Sequence, residues 1–259
     1  MIKQNQSVIA SLKEVQLEPT GEYEVSGFHE VDAEVASYIS RIFDNARINT
    51  VNAENKPFNR FTESAPARRV VVGKFDSLVE LLQMLRRARG RLTSPKISTD
   101  ELPVINVSRS FDVVYSTSDQ KRDSAAGRKL DIISDAHTGT PFAALDRSQA
   151  ALTYTVAALA FEKETLALML NAVSMHLRFA VHQSFRVNAS VAKTPIDLDC
   201  TFTDSRDLIW SDMSAPVSTD RLYAASITLT VNTDVVRALA VRSVQHRTQI
   251  VSAATEGQG

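Results

Sequence analysis

The sequence holds a single cysteine, Cys200, so no intrachain disulfide can form, and a reducing compartment is the simpler expectation. It has no excess of either charge: 29 Lys and Arg stand against 30 Asp and Glu, which removes the basic field that usually carries sequence-independent affinity for nucleic acid. No stretch approaches the roughly 18–20 apolar residues of a membrane span. The start, Met1 to Gln6, is polar, so the expectation is a protein that stays where it is made. Glycines at nucleotide-binding spacing are also missing. Val72-Gly73-Lys74 lacks the preceding glycine of a phosphate-cradling loop, and no G-x-G-x-x-G, H-E-x-x-H, C-x-x-C or G-x-S-x-G occurs. No cofactor or metal is expected from motifs, and the chain reads as an assembly component rather than an enzyme.

What is present is an ordinary globular composition, 44% hydrophobic and 23% charged over 259 residues, enough to bury a core without staples. Residues 1–30 read as an arm or edge strand around Pro19-Thr20-Gly21. Asp32 stands where a cap would, and Val35, Tyr38, Ile39, Ile42, Phe43 and Ala46 keep helical spacing to about Ile48. Positions 49–66 read as a loop. Arg69 to Phe75 then reads as a short strand, and Asp76 opens a helix with Leu78, Leu81, Leu82 and Leu85 on one stripe and Gly90 as its stop.

Leu102 to Tyr115 reads as a strand whose alternation breaks near Arg109, which a bulge would explain. Residues 116–148 are rich in Ser, Thr, Asp, Lys and Gly, too long for an ordinary connection, and are expected to protrude as a loop or hairpin. A strand from Leu152, a helix from Glu162 to Val181 with Leu166, Met169, Leu170, Val173 and Leu177 in register, and two alternating strands follow. The first of these strands puts Ile196, Leu198, Cys200 and Phe202 on one face. The second does the same with Ala225, Ile227, Leu229 and Val231, and the two are expected to pair. Residues 235–259 read as a tail. The fold class that results is α/β (α+β): one domain over 31–234, built on a single mixed, largely antiparallel sheet with helices packed on it.

Scattered residues offer little chemistry. Asp135 beside His137, with Thr138 and Thr140, could supply a base and its orienting carboxylate for a small hydrolase, or be a solvated loop. His176 and His182 are six apart, which is not the i, i+4 spacing of helical metal ligands. Asp197 and Asp199 share one face of a strand and could hold a hard cation, or simply face water. Cys200 on the opposite face reads as an inert core thiol. Arg86, Arg87, Arg89 and Arg91 form the one dense basic patch. It is either a helix end complementing the dipole or a contact with a subunit or partner.

The order and spacing of these elements resemble the tail-terminator or tail-sheath-stabiliser proteins of contractile-tailed bacteriophages. The resemblance lies in ARRVVVGKFDSLVELLQMLRRA, ELPVINVSRSFDVVY, TPFAALDRSQAALTYTVAALAFEKETLALMLNAVSMHL, and the pair PIDLDCTFTD and DRLYAASITLTVNT, from about Ala67 to Thr233. It implies a virion structural protein made in the host cytoplasm. Such a protein forms a homo-hexameric ring at the head-proximal end of the tail, caps tube and sheath proteins and meets the neck; a neck or head-tail connector is the nearest alternative. In such a ring, the projection at 116–148 and both chain ends would be docking elements.

Overall fold

The computed structural model describes residues 10–75, 78–88, 101–115, 131–135, 137–179, 183–203, 207–217 and 220–250. In chain order the elements are β1 (Ala10–Val25), α1 (His29–Arg41), α2 (Lys56–Glu63), α3 (Pro66–Arg69), β2 (Val70–Val72), α4 (Leu78–Ala88), β3 (Val104–Tyr115) and β4 (Asp131–Ser134). Then come β5 (Pro141–Ala160), α5 (Lys163–Arg178), β6 (Ser184–Val191), β7 (Thr194–Thr203), β8 (Ser211–Asp212), β9 (Ala215–Val217) and β10 (Asp220–Ile250). The molecule is mixed α/β, a large curled mixed sheet with few helices. The main path is β2-β3-β5-β10-β7-β6, antiparallel except for the parallel pair β2–β3.

Two long strands form its axis. β5 and β10 pair without interruption from Tyr223↔Ala160 to Ala240↔Ala143. Neither is broken inside, because β10 has no Gly or Pro and is rich in Val, Ile and Thr, while the one Pro of β5 is its first residue. On the far edge of β5, β3 pairs from Leu159 to Ala150 and β4 takes over at Leu145. On the far edge of β10, β7 pairs at Thr230–Thr233 and β1 from Arg237 to Ile250. The expected pairing of the two alternating strands is therefore present.

The residues at helical spacing are buried as their periodicity requires. Val35, Ile39 and Phe43 join Met169, Val173 and Leu177 of α5 in one cluster with Ile105, Leu152, Tyr154, Val156, Leu198, Cys200 and Leu229. A second cluster gathers Leu81, Leu82 and Leu85 of α4 around Val104, Ala157, Leu159, Leu222 and Ala224. Ala157 and Leu159 alternate along β5 with Val156 and Ala158, so both faces of the strand are covered there. That is why the sequence Val156–Ala160 is continuously apolar rather than alternating. At about 25 cal/mol per Å² of apolar surface buried, these clusters supply the main favourable term in folding.

Three expectations are corrected. Positions 49–66 are a loop only as far as Asn55, where Asn52 Oδ1 closes a turn by accepting from the backbone N–H of Glu54 and Asn55 (both 2.9 Å); α2 follows, burying Phe58 and Phe61. The strand expected over Arg69–Phe75 is only Val70–Val72, and Arg69 ends α3. Of the segment 116–148, expected as a loop or hairpin, residues 131–134 and 141–148 are the paired strands of a hairpin, which agrees with the second form. Residues 235–250 are not a tail but the second half of β10, satisfied by β1. The Asp76 cap, the Gly90 stop and residues 116–130 lie outside the described residues.

Candidate functional site

β3 carries the expected bulge: its register on β5 shifts between Arg109 and Val113. The irregularity is held by a partly buried polar cluster around the buried Tyr154. Arg109 Nε donates to Asp32 Oδ1 at 2.8 Å, and the Tyr154 hydroxyl donates to the same oxygen at 2.7 Å. Asp32 was expected to cap α1, but the helix begins at His29 and its carboxylate points at β3 and β5 instead. A buried tyrosine hydroxyl and a guanidinium both need an acceptor, and this demand outweighs the capping preference. Burial, and then the bond to Asp32, pushes the Tyr154 phenol well above the ordinary tyrosine range.

Beyond the bulge, β3 is an edge. β2 reaches only Val107, and no described strand covers the outer side of residues 109–115. Phe111 there is 81% exposed, with Val114 and Tyr115 also turned to solvent. Two cations sit over the Phe111 ring, Lys74 Nζ at 5.7 Å and the Arg109 guanidinium at 5.7 Å, and Arg109 also stacks on Phe28 at 5.2 Å. The carboxylate of Asp112 on this stretch accepts from the Ser110 hydroxyl at 2.8 Å.

A second open edge, on the other side of the sheet and offset along the strands, is β1. Its register on β10 breaks between Pro19 and Tyr23, with Gly21 at φ 91, a conformation that favours glycine. From Ala10 to Pro19 it pairs with Val241–Ile250, past the end of the β5–β10 pairing at Ala240, so the two form a ribbon with no third strand among the described residues. Cross-strand ion pairs hold the register: Arg242 donates to Glu18 at 2.9 Å, and Arg237 to Asp146 on β5. The tip of the β6–β7 hairpin is tied in by Ala192 N–H to Glu24 (2.9 Å) and by Arg147 to the Asp197 carbonyl (3.1 Å).

The residues singled out by sequence fall as follows. Asp135 Oδ1 accepts from the backbone N–H of His137 (3.0 Å) and Thr138 (2.7 Å) and from the Thr138 hydroxyl (3.0 Å), closing the β4–β5 turn. Those bonds, the Thr138 N–H foremost, hold its carboxyl below the usual range. Its contact with His137 is thus through the main chain, which is not how a carboxylate orients an imidazole base. Asp197 and Asp199 are exposed on one face of β7, across from Asn188 and Arg186 on β6. Cys200 lies on the buried face and donates to the Thr233 hydroxyl (3.2 Å), and burial raises its thiol to about 11. His176 Nε2 lies 3.2 Å from the Tyr38 hydroxyl, whereas His182 is outside the described residues. In the arginine patch, Arg87 is exposed on α4; the Arg86 side chain, Arg89 and Arg91 lie outside the described structure.

Sequence reasoning missed the Lys74–Phe111–Arg109–Phe28 surface, although an arginine at a break in alternation, followed by an aromatic, was its visible trace. Among the described residues, no group of three or more His, Cys, Asp or Glu could hold a metal ion, and no helix is long and apolar enough to cross a membrane. No protein-family model matches the sequence and no curated protein is similar to it, so the functional reading rests on this geometry and on the sequence pattern.

Proposed function

We infer that this chain is a virion structural subunit that assembles into a homo-oligomeric ring, a tail terminator of the kind its sequence pattern resembles. In this reading the helices form a layer on the sheet, the β4–β5 hairpin is an arm, and the ring caps tube and sheath at the head-proximal end of the tail and meets the neck. The single observation that carries it is the ribbon of β1 and the distal half of β10, which runs on past every other strand among the described residues. A two-stranded antiparallel ribbon is marginal in water, and an open sheet edge is a template for pairing with another chain. A chain that keeps such a ribbon is built to have it covered by a neighbour. A virion position would make that neighbour a sister subunit or a tube, sheath or neck protein.

The test is the mass of the assembled particle. Size-exclusion chromatography with light scattering on the full chain is expected to give about six times the 28.5 kDa monomer, and negative-stain images are expected to show rings with a central pore. A particle that stays monomeric at every concentration overturns the reading.

A further inference from the structure

We propose that neighbouring copies join head to tail, the acidic edge of β1 in one copy lying against the cationic-aromatic edge of β3 in the next. The inference deepens the ring reading and rests on it. Its first ground is topological. β3 lies beyond β5 and β1 lies beyond β10, so the two open edges are on opposite sides of the sheet, offset along the strands because β3 pairs with β5 at Leu159–Ala150 and β1 with β10 at Arg237–Ile250. Joining unlike edges gives a heterologous contact, and a heterologous contact repeated through a closing rotation makes a ring, whereas a self-complementary one stops at a dimer.

The second ground is charge. Of the carboxylates on β1, Glu18 is paired with Arg242 and Glu24 accepts from the Ala192 N–H, which leaves Glu22 as the exposed acid for a partner. Glu22 and Tyr23 are exposed beside the Gly21 irregularity, and Val25 is half exposed. On the other edge, Lys74 and Arg109 flank Phe111, and the Asp112 carboxylate is engaged by Ser110. Acid faces base, and each side also offers exposed apolar side chains: Tyr23 and Val25 against Phe111, Val114 and Tyr115. The third ground is the backbone. Residues 109–115 and the outer side of β1 both present strand N–H and C=O groups with no strand partner among the described residues, so strand addition satisfies both at once.

The native thiol makes the proposal easy to test. Cys200 is buried, so new surface cysteines can be linked without interference. Glu22→Cys and Val114→Cys are made separately in the full chain, mixed, and treated with a short bis-maleimide, whose reach tolerates a small offset in register. The mixture is expected to give covalent dimers, each variant alone none, and the double variant a ladder of multimers. Oligomers seen by light scattering without cross-linking in the mixture overturn the edge pairing and leave the ring reading standing. A variant that links to itself also overturns it, since that means a two-fold contact. A monomer in light scattering removes both readings. Lys74→Glu is expected to raise the concentration for half-dissociation about tenfold, and adding Glu22→Lys to restore it. Losses that simply add, with no restoration, would overturn the charge pairing.

Discussion

Tyr154 and Cys200 are two buried groups whose protons the fold holds in opposite ways: one is donated to a carboxylate, the other is kept away from water. Tyr154→Phe removes the hydroxyl that Asp32 accepts while leaving the ring in place, and the loss of a bond to a charged acceptor is worth about 2 kcal/mol. Urea unfolding should show that drop with an unchanged slope. Cys200 offers a test in pH. Burial raises its folded-state value from 9.0 to about 11, so its contribution to stability is complete below pH 9 and lost as the pH rises through 11. The stability advantage of the native chain over Cys200→Ala should therefore shrink across that window, and the thiol should resist a disulfide reagent at pH 8 until the protein unfolds. The strict alternation from Ile196 to Phe202 made the buried thiol legible. The role of Asp32 was not, because a helix-start aspartate looks the same in sequence whether it caps its own helix or serves a tyrosine 122 positions away.

At the scale of elements, what the sequence revealed depended on how many faces each element buries. α5 and β7 bury one side and show clean periods. α2 was hidden because only Phe58 and Phe61 are large apolar residues on its buried face, and no side chain caps its start, the Asn52 carboxamide closing only the turn before it. The distal half of β10 was hidden because Val235 and Val236 interrupt the alternation. Turn chemistry was equally deceptive in the β6–β7 hairpin. Val191 pairs with Thr194, leaving a two-residue loop in which Ala192 and Lys193 have φ of 51 and 60. A loop of this kind suits the twist of the strands but favours Asn-Gly, and neither residue is one of those. Lys193 is exposed, so Lys193→Gly relieves the left-handed conformation without touching the core. After the cost of a more flexible unfolded chain, it should stabilise the protein by about 0.5–1 kcal/mol, read as a higher denaturation midpoint.

For the whole molecule, the sheet divides into a body that carries the buried clusters and an extension made of β1 and the distal half of β10, and the two should respond differently to loss of β1. Glu22, Tyr23, Glu24 and Val25 are exposed, so the described side chains nearest the body contribute little to its core. Trp210, by contrast, is tied to α5 by its indole N–H to the Ser174 hydroxyl at 2.8 Å and reports on the body. Ser26 binds Val236 through both its backbone and its hydroxyl, which sets the place to cut. A chain beginning at Ser26 should keep the Trp210 fluorescence and nearly the same unfolding midpoint, while amides between Val241 and Ile250, which pair with β1 alone, lose their protection against hydrogen exchange. It should also fail to assemble, because the ribbon is gone and the edge of β10 that β1 covers is bare. If the shortened chain instead loses the Trp210 signal together with the exchange protection, β1 belongs to the cooperative core, and the division into body and extension is wrong.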